Sequence, residues 1–418
     1  MIKKLKEVAK VNEISISSKS YPANIYYIDI ASVDNGFITA AQEIKFSEAP
    51  TRARRIVKNK DILLSTVRPN LRHYAFVQNA KDNTIASTGF AVISCKNINP
   101  RFLYYFLTSN NVTDYLSAIA ESHTSTYPSF PPEILEELEI PFPSEEEQQK
   151  IANILGTLDD KIELNRQMNQ TLEAMARAIF KSWFVDFDPV YAKMEGRDYP
   201  LPPEIMDLFP DELEESELGL IPKGWRVEKI SDVCETKYGY TASAENFETG
   251  PKFLRITDIV NSGINWDTVP YCKIVEKDLN NYLLTEGDIV VARTGATVGY
   301  GKRLGKRIPI SVFASYLVRF RPLKKELIYF IGIQVESNTY KQFIKQNIQG
   351  SAQPQANAKI LSSYTLITPT EPLLNKFNIV VKPFLEKKEI NDLQNEKLIK
   401  IRDILLPTLI SGELEEII

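Results

Sequence analysis

Short apolar or alternating runs recur along the chain at Ile25–Ile30, Ile62–Val67, Phe90–Ser94, Phe253–Ile256, Ile289–Ala292 and Tyr316–Phe320. They are rich in β-branched and aromatic residues and are punctuated by Gly, Asn and Pro, so they predict strands. Helical spacing appears at Arg101–Ala120 and Leu327–Gln346. A far longer helical pattern opens at Ser144, an N-cap residue followed by Glu145, Glu146 and Glu147 in the first turn. Its apolar stripe runs through Ile151, Ile154, Leu155, Leu158, Ile162, Met168, Leu172, Met175, Ile179 and Trp183, with Asn165 at one seam position. The steps are mostly three, four or seven, which is the signature of a packed helix. A second such stripe starts near Pro372 and passes through Phe377, Val381, Phe384, Ile390, Leu393, Leu398, Ile401 and Leu405 before stopping near Pro407 and Gly412.

The two stripes belong to a repeat. Shifted by 225–227 positions, the chain overlays itself. Ile2–Val8 matches Val227–Val233, Tyr27–Gly36 matches Leu254–Gly263, and Lys60–Thr66 matches Gly287–Arg293. Phe102–Phe106 resembles Leu327–Ile331, and Leu135–Lys150 matches Leu361–Lys376. The expected architecture is α+β: two mainly β domains joined by two long antiparallel helices in a coiled-coil-like pair, related by a pseudo-twofold axis. The boundaries fall at 1–143 (first β-rich domain), 144–185 (central helix), 220–370 (second β-rich domain) and 371–418 (C-terminal helix and tail). The acidic, Pro-rich stretch 186–219 reads as a linker.

Composition narrows the class. Of 418 residues, 43% are hydrophobic and 25% charged, as in a globular protein. Three cysteines and two histidines exclude a disulfide scaffold and leave little room for a His-based zinc centre. No leader or membrane span is apparent, so a cytoplasmic protein with no membrane role is expected. The net charge of −4 hides an alternation: +2 over residues 1–143, −11 over 144–218, +7 over 219–370 and −2 over 371–418. A polyanionic partner would meet the first and third segments.

Catalytic motifs are missing. Thr294–Arg303 resembles a phosphate loop, but Ala296 and Arg303 stand where Gly and Ser or Thr are needed. There is no G-x-S-x-G, no H-E-x-x-H and no amino-methyltransferase tetrapeptide. No catalytic residue and no metal ligand is therefore assigned.

Binding loops are easier to find. After the strand ending at Ala292, a Gly-rich loop carries Arg293, Thr294, Thr297, Lys302, Arg303, Lys306 and Arg307, suited to phosphate contact. The equivalent loop of the first copy carries Arg68, Asn70, Arg72 and His73, with Arg54 and Arg55 nearby in sequence. Polar stretches ahead of each long helix hold Thr124, Ser125 and Thr126, and Ser351, Gln353 and Gln355, side chains able to read base edges. Lys237, Tyr238 and Tyr240 form a third loop of this kind. Any one of these loops alone reads as a solvated hairpin; recurrence at the same place in both copies points to binding.

The segments Glu146–Phe184, Glu217–Trp225 and Lys397–Leu414 resemble the DNA specificity subunits of type I restriction–modification enzymes, and the likeness spans nearly the whole chain. The first copy departs from it by lacking the I-P-K-G-W lead-in present at Ile221–Trp225. The resemblance implies two target-recognition domains that read the halves of a split, asymmetric site in double-stranded DNA. It implies a helical spacer that docks two methyltransferase subunits and, through them, restriction and translocase subunits. Ile151, Ile154, Leu155, Leu158, Ile162, Leu172, Ile179, Phe377, Phe384, Leu393, Leu398, Ile401 and Leu405 are the helix positions expected to dock. S-adenosylmethionine, ATP and Mg²⁺ would belong to the partners, and this chain would bind no cofactor. The rival reading is a coiled-coil scaffold with two protein-binding domains and no role on DNA.

Overall fold

The computed structural model describes residues 1–16, 22–39, 41–123, 127–260, 263–348 and 354–411. It is α+β, 43% helical and 24% strand. The chain divides into two compact units, Met1–Glu163 with Lys397–Ile418, and Leu164–Glu396. Each unit thus takes one β-rich copy and a part of both long helices, Glu145–Phe184 and Glu371–Ser411.

The first unit is built on a four-stranded sheet, in the order Ala9–Val11, Phe90–Cys95, Ile62–Ser65, Tyr74–Phe76. Phe90 pairs with Ser65 and Ile93 with Ile62, antiparallel. The central strand Ile62–Ser65 is buried throughout because both faces are covered. Ile62 and Leu64 pack on the helix Pro100–Leu107, while Leu63 turns to a second cluster with Val92 and Phe90. A second four-stranded sheet contains the parallel pair Asn24–Ile28 and Thr84–Ser87.

The second unit repeats this plan. Its sheet runs Cys234–Tyr238, Leu317–Pro322, Ile289–Ala292, Gly301–Arg303, and Leu317 pairs with Ala292 as Phe90 does with Ser65. The parallel pair recurs as Lys252–Leu254 with Ser311–Phe313, here as a sheet of two strands. Even the short helices Leu5–Val8 and Ile230–Val233 are matched, each capped by its own acid: Glu7 accepts from the Lys4 amide and Asp232 from the Lys229 amide, both at 2.9 Å.

Two expected helices are broken. Arg101–Ala120 divides into Pro100–Leu107 and Asn110–His123. Leu327–Gln346 divides into Leu327–Val335 and Asn338–Asn347, the latter capped by Ser337, whose hydroxyl accepts from the Tyr340 amide. The Ser144 cap forms as expected: its hydroxyl accepts from the Glu147 amide, and the Glu147 carboxylate accepts from the Ser144 amide and hydroxyl at 2.7 Å. These bonds hold the Glu147 carboxyl below the usual carboxylate range.

The stretch 186–219 is not a linker. It folds as helices Asp188–Met194 and Pro203–Met206 and leads into a hairpin of Leu213–Ser216 with Gly219–Pro222. Phe187, Val190, Ile205 and Phe209 are buried in the same cluster as Trp225 and Phe184. Acidic and proline-rich composition concealed four widely spaced apolar anchors.

Within the second unit the two long helices run antiparallel. Asn165 donates to Asn395 at 2.8 Å and to Gln394 at 3.0 Å, and Asn169 donates to Asp392 at 2.7 Å. Asn391 donates to Asn169 at 2.8 Å, and Lys388 reaches Asp392 at 2.8 Å and Glu173 at 3.5 Å. In the first unit the two helices are linked by Asp159, which accepts from Arg402 at 2.9 Å.

The expected docking positions need correction. Ile151, Leu155, Ile162 and Phe377 are buried inside their own units, and Leu158, Leu172, Ile179, Phe384, Leu393, Leu398 and Leu405 are half-buried. Only Ile154, at 45% exposure, and Ile401, at 46%, turn outward among those thirteen. Leu164, Met175, Ile379, Ile390 and Ile404 join them on the exposed helix surface. Three- and four-residue spacing locates a stripe but not the side on which the partner helix lies.

Candidate nucleic-acid interface

In the second unit, three loops far apart in sequence meet at the C-terminal end of the strand Ile289–Ala292. Thr294 bridges Gln355, the Arg293 carbonyl accepts from the Ala356 amide at 2.8 Å, and the Gly295 amide donates to the Pro354 carbonyl at 3.0 Å. The Tyr238 hydroxyl accepts from the Ala358 amide at 2.8 Å, and the Arg293 guanidinium lies 5.0 Å from the Tyr238 ring. Tyr240 is tied to Phe313 and Ser315 through its backbone, and its ring packs against Tyr282 with centroids 5.1 Å apart. The Lys237 ammonium stands 5.4 Å from the Tyr282 ring. Arg293, Thr294, Gln355, Lys237, Tyr238 and Tyr240, chosen from three separate loops of the sequence, are therefore neighbours. Thr297 sits in the turn beyond, where its carbonyl accepts from the Tyr300 amide at 2.9 Å. Gly299 adopts φ +81° there, and a Cβ would meet the Ile344 side chain at 3.1 Å.

The first unit repeats the joint. Val67 bridges Ser129, the Thr66 carbonyl accepts from the Phe130 amide at 3.0 Å, and the Arg68 amide donates to the Pro128 carbonyl at 2.7 Å. The Arg68 guanidinium lies 5.2 Å from the Tyr127 ring. Arg72 donates to Asn110 at 2.7 Å, and the His73 Nδ1 contacts the Val33 carbonyl at 2.5 Å. Asn70 is exposed. Arg54 and Arg55 lie on the strand Ala53–Ile56, where Arg54 faces Phe46 at 5.6 Å and Arg55 donates to Ser15 at 3.1 Å. That strand reaches the joint through Thr88, whose amide donates to Arg52, and Gly89, whose carbonyl accepts from Thr66. Thr124, Ser125, Thr126, Ser351 and Gln353 lie outside the described residues.

Part of the expected basic loop points elsewhere. The Arg303 guanidinium pairs with Glu389 of the second long helix at 3.2 Å and covers the Tyr329 ring at 4.8 Å. Lys306 pairs with Glu386 at 2.6 Å, which raises the pKa of its ammonium. Lys302 lines the same 170 Å³ cavity as Glu173, Glu336, Lys388 and Asp392, and burial pushes its pKa down. Arg307 is exposed beside that cavity. Lys302, Arg303 and Lys306 thus serve the packing of the second β-rich copy on the helices, a correction to their reading as phosphate ligands. The partners of Arg303 and Lys306 follow some 80 residues later, beyond the reach of local pattern.

The sequence reading also passed over Tyr127, Tyr282, Tyr316 and Leu71. Tyr127 is 67% exposed and Tyr316 60%. Their exposure beside cationic loops is their signal, and it exists only in three dimensions. Both joints offer a guanidinium stacked on a tyrosine, exposed amides and hydroxyls, and backbone locked by paired hydrogen bonds. Such a surface suits phosphate and base-edge contact.

Comparison with known proteins agrees. The sequence pattern of the type I restriction modification DNA specificity domain matches residues 1–174 and again 222–398, which are the two copies found by self-comparison. The chain is 30% identical to the type I restriction enzyme HindI specificity subunit of Haemophilus influenzae, across 94% of this chain and 95% of that one. It is 28% identical to the MjaIX specificity subunit of Methanocaldococcus jannaschii, across 99% and 93%. The fold is similar to that of a type I restriction–modification S subunit from M. genitalium, with a TM-score of 0.54 at 15% identity over 98% of this chain and 95% of that one. Among the described residues no helix is long and apolar enough to cross a membrane. By its repeated specificity domain and its full-length relatives, this chain belongs to the specificity subunits of type I restriction–modification enzymes and confers DNA sequence specificity.

Proposed function

We propose that the two units read the two halves of a bipartite, asymmetric site in double-stranded DNA, one recognition joint to each half. The recurring joint supports this reading: the same pair of backbone hydrogen bonds, with an Arg–Tyr stack beside it, appears at Thr66–Arg68 and at Arg293–Gly295. The paired helices act as the spacer, so that the second contact becomes intramolecular once the first is made. Their exposed apolar positions, among them Ile154 and Ile401, offer contact area to two methyltransferase subunits, and through these to restriction and translocase subunits. S-adenosylmethionine, ATP and Mg²⁺ belong to those partners, and this chain works without catalytic residues of its own, in the cytoplasm.

Sequencing genomic methylation in cells with and without this chain tests the reading. A split motif should appear only when the chain is present. The reconstituted complex should bind that motif with an affinity that falls steeply with salt, at a log–log slope of about −0.9 per phosphate contact. A protein scaffold would leave methylation unchanged and show neither sequence preference nor salt slope.

A further inference from the structure

Leu71 is an exposed apolar side chain inside the cationic turn Arg68-Pro69-Asn70-Leu71-Arg72-His73 of the first unit, at 48% exposure. The turn is rigid. Pro69 is buried, the Leu71 amide donates to the Arg68 carbonyl and the Arg72 amide to the Pro69 carbonyl, both at 2.9 Å. Arg72 is anchored on Asn110 and His73 on the Val33 carbonyl. Arg68 and Arg72 both hold left-handed backbone, at φ 48° and 56°, a conformation that side-chain-bearing residues rarely adopt. Strain of this kind concentrates where a surface is shaped for contact.

The second unit shows what the same position does without such a turn. The counterpart of Leu71 is Val298, 4% exposed and packed in the core cluster of its unit. In the first unit Pro69 supplies the buried anchor instead, and Leu71 is turned out beside the Arg68–Tyr127 stack. A leucine flanked by two arginines and an exposed Asn70 suits a polyanion that also carries apolar groups. In the major groove that group is the 5-methyl of thymine.

Building on the bipartite reading above, we propose that Leu71 is a specificity-determining residue, packing against a thymine methyl in the half-site bound by the first unit. Arg68 supplies the adjoining phosphate contact.

The test uses the full chain assembled with its methyltransferase subunits and the motif obtained from genomic methylation. Each thymine of the duplex is replaced in turn by uracil, which removes only the methyl group. The wild-type complex should lose about fourfold in affinity at one position, the worth of one buried carbon. Leu71→Ala should weaken binding to the thymine duplex by a similar factor and no longer distinguish thymine from uracil there. Arg68→Gln should weaken both duplexes alike and reduce the salt slope by about one contact. A Leu71→Ala complex that keeps wild-type discrimination at every position overturns the proposal. So does a motif without thymine in either half, or loss of the methyltransferase subunits from the variant. A wild-type complex with no sequence preference at all would instead overturn the underlying reading.

Discussion

Apolar packing holds each unit's share of the helix pair, but the side chains that reinforce it differ. In the second unit an aromatic hub does the work: Phe184 packs on Phe377 at 4.8 Å, Phe330 at 5.2 Å, Phe180 at 5.5 Å and Trp225 at 5.8 Å. In the first unit the helices contribute aliphatic Ile151, Leu155 and Leu409 to the core, and charge is added to that packing. Arg101 makes a two-pronged contact with Asp160 at 2.9 and 2.6 Å, while Asp159 accepts from the Tyr105 hydroxyl at 2.8 Å and from Arg402 at 2.9 Å. The copies share strands, register and recognition joint, so duplication preserved the scaffold and left the fastening to diverge. An apolar hub resists pH and salt, whereas a charge clamp answers to both.

Removing the hub should have the largest effect. Phe184→Ala deletes a buried ring touching five others and should cost about 3–5 kcal/mol of second-unit stability. Calorimetric unfolding would show that unit melting earlier while the first keeps its transition. Asp159→Ala should follow at about 3 kcal/mol, in the first unit, because it leaves Arg402 with one carboxylate fewer in a buried setting. Burial opposes the Arg402 charge, yet Asp159 and Asp403 outweigh it and its pKa is raised. If both substitutions lowered the same transition equally, the contrast between the fastenings would be wrong.

Acid should weaken the first unit through Asp160. The Arg101 guanidinium holds the Asp160 carboxyl below its usual range. A carboxylate with a depressed folded pKa contributes stability that is complete above its unfolded value, near ~3.9, and is lost as pH falls through the folded value. Titrating unfolding from pH 7 to pH 2 should therefore lower the first transition below about pH 4, and Asp160→Asn should remove that part of the slope.

Much of this fold was legible from the chain. The strand Ile289–Ala292 has the predicted bounds, Phe90–Ser94 falls one residue short, and Ser144 caps as expected. Alternation, β-branching and capping are local, and local physics writes them into neighbouring residues. The recognition joint was half-legible, because the repeat marks its loops but no local pattern shows that they meet. Illegible were the long-range choices: which side of each helix its partner covers, that Phe187, Val190, Ile205 and Phe209 pull an acidic stretch into the core, and where each cation turns. The +7 charge of residues 219–370 looked like a footprint for a polyanion. Yet Arg303, Lys306, Arg319 and Arg321 are paired with Glu389, Glu386, Glu235 and Asp288. Net charge counts cations without saying where they are engaged.

The smallest expected effect tests that distinction. Lys306→Gln removes one cation from the second unit, as Arg68→Gln removes one from the first, so net charge treats the two changes alike. The geometry does not. Lys306 is spent on Glu386 at the surface, where solvent screens such a pair, so its loss should barely move the unfolding transition. It should also leave the salt slope of DNA binding unchanged, since no phosphate contact disappears. Arg68→Gln should lower that slope by about one contact while leaving stability nearly intact. Binding isotherms at three or four salt concentrations separate the outcomes. Equal slope losses for both variants would mean that the basic loop after Gly301 reaches DNA despite its acidic partners, and that the second recognition surface extends further than the joint at Arg293.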